Sequence, residues 1–85
     1  MFITKQFGQE INDFIENKSN FVISITYNEK TTFAQIREVA RWCKENIKGD
    51  GAGKIATKEV NSGPFTIDWH FTEEEDAAAF RLAWA

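Results

Sequence analysis

The residues of this chain that could do chemistry lie in four places. They are a glycine-rich run, Gly49-Asp50-Gly51-Ala52-Gly53-Lys54; the single histidine, His70, two positions from Asp68; an acidic run from Glu73 to Asp76; and a line of cations, Arg37, Arg41, Lys44 and Lys48, with Trp42 among them. A phosphate cradle of the P-loop kind needs a strand before it, a helix after it, and Ser or Thr behind the lysine, so that backbone N–H groups wrap the phosphates and the hydroxyl reaches the metal. Here a helical pattern precedes, a strand pattern follows, the residue after Lys54 is Ile55, and the spacing is a residue short. The run is expected to stop a helix and to act as a flexible connector.

Asp68 and His70 alternate onto one face of a strand, which would bring carboxylate and imidazole within reach across about 7 Å of backbone. A hydrolytic triad needs three convergent groups, and no Ser or Cys is tied to this pair by a nucleophile motif. One histidine makes no zinc site without several carboxylates arriving from elsewhere. The Glu73–Asp76 run lacks the alternating ligands and central glycine of a calcium loop, and is better suited to the positive end of a helix dipole. No metal and no cofactor is therefore expected. On a helix, with about 100° per residue, Arg37, Arg41, Lys44 and Lys48 form a basic stripe beside the apolar face. Trp42 points nearly opposite Phe33, the composition of a protein–protein contact surface.

The elements that must position these groups follow from apolar periodicity. Phe7, Ile11, Phe14 and Ile15 predict a helix over about 4–17 with Thr4 as N-cap; a short extended arm over Met1–Lys5 is the alternative. Residues 21–27 alternate as a strand. Thr32 and Gln35 form a capping-box pattern opening a helix over 33–47, whose apolar face carries Phe33, Ile36, Val39, Ala40, Cys43 and Ile47. Strands follow at 54–60 and 64–71, joined by Asn61-Ser62-Gly63. In the second of them Phe65, Ile67, Trp69 and Phe71 share one face, and Pro64 stands at its start, where a missing donor does least harm. Thr72 and Glu75 predict a capping box for a last helix over 73–83, with Ala77, Phe80 and Trp84 as its stripe.

The expected fold class is α+β: a single domain, residues 1–85, in the order αβαββα. A three-stranded, mainly antiparallel sheet would pack against amphipathic helices. The favoured arrangement sets the first strand beside the third; a parallel pairing of the first two is the alternative. The other sheet face, with Ser24, Thr26, Thr66, Asp68 and His70, would stay open to a partner or a second copy, and exposed edges invite strand-to-strand pairing into a homodimer.

Composition narrows the function classes. A net charge of −3 argues mildly against a general nucleic-acid binder. One cysteine, Cys43, excludes an intramolecular disulfide and a multi-cysteine zinc site. No stretch approaches the roughly 18 apolar residues of a membrane span, and the start of the chain lacks the apolar core of a signal peptide, so the cytoplasm is the expected location.

The segment Phe65-Thr66-Ile67-Asp68-Trp69-His70-Phe71, followed by Asp76-Ala77-Ala78-Ala79-Phe80-Arg81-Leu82-Ala83-Trp84, resembles the ending of many short bacteriophage accessory proteins. In those, an aromatic strand leads into an acidic cap and a helix of the D-A-x-x-F-R/K-L pattern. The resemblance implies a context, a small protein that binds and redirects host machinery such as polymerases, nucleases or CRISPR complexes. It carries over no functional residue.

The sequence is thus read as a non-enzymatic protein–protein interaction module, an inhibitor or modulator of a host protein in the context that the resemblance implies. Trp42, Arg37, Arg41, Lys44, Lys48, Asp68 and His70 are the candidate partner-binding residues. The alternative is a small nucleic-acid-binding protein using the basic stripe with Lys54 and Lys58, whose affinity would fall steeply with salt. A small enzyme built on Asp68 and His70 stands third.

Overall fold

A computed structural model describes residues 1–58 and 64–85, and of Thr57 and Lys58 only the backbone. Its elements are β1 (Phe2–Ile3), α1 (Gln9–Asn17), β2 (Phe21–Tyr27), α2 (Phe33–Asn46), β3 (Gly51–Lys58), β4 (Phe65–Phe71) and α3 (Glu74–Trp84). The strands form one mixed sheet in the order β1-β3-β4-β2. β4 pairs antiparallel with β2 on one side, Ile23 opposite Trp69, and antiparallel with β3 on the other, Gly53 opposite Trp69. β1 adds parallel to β3 through Phe2–Gly51 and Ile3–Ala52. No helix of the described residues is long and apolar enough to cross a membrane.

Alternation sorts the sheet's side chains onto two faces. One face carries Ile23, Ile67, Trp69 and Phe71, and α2 and α3 cover it with Val39, Cys43, Ala77 and Phe80. Phe80 is the hub: its ring sits 5.3 Å from that of Trp69 and 5.2 Å from that of Phe71. The Trp69 indole N–H donates to the Tyr27 hydroxyl at 3.2 Å, so the buried ring leaves no donor unpaired. Gly53 permits this packing, because a Cβ there would lie 2.7 Å from the Trp69 ring. On the reverse face α1 seats Ile11 and Phe14 on Ile3 and Ala52.

Several expectations are corrected. The sheet has four strands, not three, and is mixed, since β1 adds a parallel pairing to the antiparallel ones; the element order is βαβαββα rather than αβαββα. The extra strand is the extended arm at residues 2–3, too short to show a period. Helix α1 starts at Gln9 behind Gly8 (φ 122°), not at Thr4, which leaves Phe7 outside it and 84% exposed. The glycine run is no flexible connector: α2 stops at Asn46, and Gly51 and Gly53 lie within β3. The predicted end of that strand at 59–60 and the joint Asn61-Ser62-Gly63 lie outside the described residues.

The Thr32–Gln35 capping box is formed in both directions, with the Thr32 hydroxyl accepting the Gln35 N–H at 3.2 Å and the Gln35 carbonyl accepting the Thr32 N–H at 2.8 Å. Thr72 does not cap α3. Its hydroxyl instead accepts the Asp50 N–H at 3.0 Å, and Glu73 occupies the N-cap position without a side-chain bond.

Candidate functional site, a cation-edged groove beside helix α2

Helix α2 buries a wide arc centred on Cys43. Two flanks bound that arc, each roughly 80–100° from Cys43 at 3.6 residues per turn. One flank carries Trp42, and α3 covers it: the Trp42 ring meets Phe80 edge-on at 6.1 Å and Trp84 at 6.4 Å. Trp42 is therefore half-buried and packed against the core, not the exposed contact that the sequence suggested. Its opposite number on the helical wheel, Phe33, expected in the core, is 79% exposed. The helix is turned toward α3 as well as toward the sheet, and a single-face pattern cannot express that.

Among the described residues, no helix faces the other flank of α2. Between it and the β1–β3 side of the sheet lies a groove of about 530 Å³. Phe2, Ile55, Ile67 and Trp69 form its floor, Ile36 and Ala40 its helical wall, and Thr4 and Gln6 its opposite wall. Arg37, Arg41 and Lys44 stand along the α2 rim, with Phe33 at the start of the helix. All three cations are exposed, and Arg41 makes a surface ion pair with Glu38 at 3.5 Å. Such exposed pairs contribute little and yield readily to a competing anion.

Lys48 is not part of this row. It follows the end of the helix, where its backbone N–H donates to the Asp76 carboxylate at 2.9 Å and its ammonium reaches Glu75 at 3.4 Å. Lys54 donates to the Asn12 side chain at 3.1 Å on the reverse sheet face, and the side chain of Lys58 lies outside the described residues. The basic stripe is thus shorter than its sequence suggests, with Arg37, Arg41 and Lys44 as its members.

Asp68 and His70 share the reverse face as alternation predicts, yet they do not act as a pair. The Ser24 hydroxyl donates to the Asp68 carboxylate at 2.5 Å. His70 is buried, 7% exposed, and its Nδ1 lies 2.8 Å from the Ser19 hydroxyl at the foot of α1. Ser19 is the partner that the sequence did not reveal, since nothing local links positions 51 residues apart. Burial holds the imidazole below its ordinary pKa; the Asp68 charge pulls it up and the Lys54 charge pushes it down. With α1 over it, the ring has little surface for a substrate, and its bond to Ser19 ties α1 to the sheet. Of the residues expected on the open face, His70 is lost to burial, which leaves the ladder of Ser24–Asp68 and Thr26–Thr66, the two threonine hydroxyls 2.9 Å apart.

The acidic run divides by role. Glu73, Glu74 and Glu75 are exposed at the start of α3, while Asp76 is 3% exposed and accepts the Lys48 and Gly49 N–H groups at 2.9 and 2.8 Å. The buried Cys43 thiol has its pKa pushed up to about 12, by burial first and by the Asp76 charge second, which leaves it a poor nucleophile. Among the described residues no group of three or more His, Cys, Asp or Glu could hold a metal ion.

No protein-family model, no curated protein and no solved structure matches this chain.

Proposed function

We propose that this chain is a non-enzymatic protein-interaction module that meets its partner at the groove beside α2. The observation that carries the reading is an apolar trough edged by Arg37, Arg41 and Lys44, with Phe33 standing free at the start of the same helix. Aromatic side chains and arginine are the residues enriched at protein interfaces, and a cleft of this size lies within the range of binding sites. Asp68 and His70 each hydrogen-bond a serine, and the burial of His70 supports the interaction reading over one built on that pair. In the phage context that the C-terminal resemblance implies, the partner would be a host protein in the cytoplasm, and binding would modulate or inhibit it.

The test is capture from bacterial lysate by the tagged chain and by Arg37→Glu/Arg41→Glu, with and without nuclease. One stoichiometric protein that survives nuclease and is lost with the double variant supports the reading. Equal capture by the variant would move the contact surface away from the groove. Capture that vanishes with nuclease would favour the nucleic-acid alternative.

A further inference from the structure

We infer that the groove takes an acidic amphipathic helix: a partner segment that lays an apolar stripe on Ile36, Ala40 and Ile55 and sets carboxylates against Arg37, Arg41 and Lys44. This inference rests on the interaction reading above and adds the chemistry of the occupant.

Charge spacing is the first ground. Arg37, Arg41 and Lys44 follow one another at i, i+4 and i+7 along the exposed rim, a row of about 10 Å at 1.5 Å per residue. The facing wall carries Thr4 and Gln6, which are uncharged, so among the described residues lining the groove nothing across the trough neutralises the row. A chain of net charge −3 concentrates three cations along one side of this groove. An amphiphile with a single anionic head would answer one of them. Carboxylates repeating about one turn apart on a helix answer all three, because two helices laid side by side share the same rise and the same i, i+4, i+7 rows.

The backbone of the occupant follows from the sheet edge. A partner strand adds to a sheet by pairing with free N–H and C=O groups. Beside the groove those groups of β3 are already taken: Gln6 donates to the Gly53 carbonyl at 2.7 Å and accepts the Ile55 N–H at 2.9 Å. An occupant here must bring its backbone already satisfied, which a helix does. Nucleic acid is disfavoured by the floor, since Trp69 is 2% exposed and offers no ring face on which a base could stack.

The experiment is fluorescence anisotropy with a labelled synthetic helix bearing leucines at i, i+3 and i+7 and glutamates along the adjoining flank at i+1, i+5 and i+8. It is compared with the same helix carrying Gln or Lys at the flank positions, with dodecanoate, and with an oligothymidylate. The glutamate helix is expected to bind about tenfold or more tighter than the Gln helix, and the Lys helix not to saturate. Arg37→Glu/Arg41→Glu should invert that order, favouring the Lys helix, which a merely misfolded variant would not do. Equal affinity for the Glu and Gln helices, absence of saturable binding, or preference for dodecanoate or the oligonucleotide would overturn the inference. If the groove captures a lysate protein while these helices fail, the occupant chemistry alone is wrong. If capture fails as well, the interaction reading falls with it.

Discussion

The side-chain carbonyl of Gln6 accepts the backbone N–H of Ile55 at 2.9 Å, while the amide nitrogen of the same side chain donates to the Gly53 carbonyl at 2.7 Å. One side chain thus makes the two bonds that a neighbouring strand residue would make, and continues the pairing of β3 past the point where β1 ends at Ile3. Gln6→Glu keeps the acceptor but sets a carboxylate oxygen against the Gly53 carbonyl. A loss of about 1–3 kcal/mol in urea unfolding is expected, with faster exchange of the Ile55 amide. An unchanged midpoint would show that water replaces the amide at no cost.

Trp42 provides the sharpest contrast between sequence and structure. As an exposed contact it would be dispensable for stability; packed against Phe80 and Trp84 it is not. Trp42→Ala is expected to cost about 2–3 kcal/mol, below the range for a fully buried tryptophan because the ring is half-buried. Thermal or urea denaturation reads this directly, and a shift within error would return Trp42 to the surface.

Asp76 joins the start of α3 to the segment that leaves α2. Asp76→Asn places an NH₂ group where one of the Lys48 and Gly49 N–H groups now finds an oxygen. The expected cost is about 1–3 kcal/mol, since a buried donor loses its acceptor. Glu74→Gln, at an exposed position of the same acidic run, should change stability far less.

His70 gives the stability a pH dependence of defined sign. Its folded pKa lies below the ordinary value, chiefly through burial, so the unfolded chain binds the proton more readily than the folded one. The contribution is therefore full above about pH 6.5 and is lost as pH falls through the folded value. Urea midpoints measured between pH 7.5 and 5.5 should fall in the native chain. His70→Gln, which can still hydrogen-bond Ser19, should flatten that part of the profile.

What could be read from the sequence was whatever is encoded locally. The Thr32–Gln35 box, the alternation over 65–71 and the Ala77–Phe80 stripe each need only neighbours within a turn or a strand, and each is present. What could not be read depends on partners distant in the chain. Phe33 and Trp42 exchange their expected surroundings because α3 leans on one flank of α2. Gly51 and Gly53 look like a connector but serve as strand residues, one against the His70 backbone and Phe2, the other under Trp69. The candidate site shows the same division. Arg37, Arg41 and Lys44 are recognisable as a row, whereas the groove that gives the row a use is made by residues 2–6 and 53–55, brought to α2 only by the fold.

The two-residue strand β1 and the Gln6 clasp have a thermodynamic consequence of their own. Phe2, Thr4 and Gln6 both complete the sheet and build part of the groove, so the arm must be docked for the groove to exist as described. The arm is held by one short parallel pairing, a few side-chain bonds and the burial of Phe2 and Ile3, so its release is a local opening that exposes two core side chains. Any molecule that binds only the docked form then stabilises the arm by RT ln(1 + [L]/Kd), and its apparent affinity is reduced by the fraction of molecules whose arm is undocked. Occupancy of the groove and order of the N-terminal arm are thus two readings of a single equilibrium, and exchange protection at Gly51, whose N–H donates to the Met1 carbonyl, would report the presence of a ligand that never touches it.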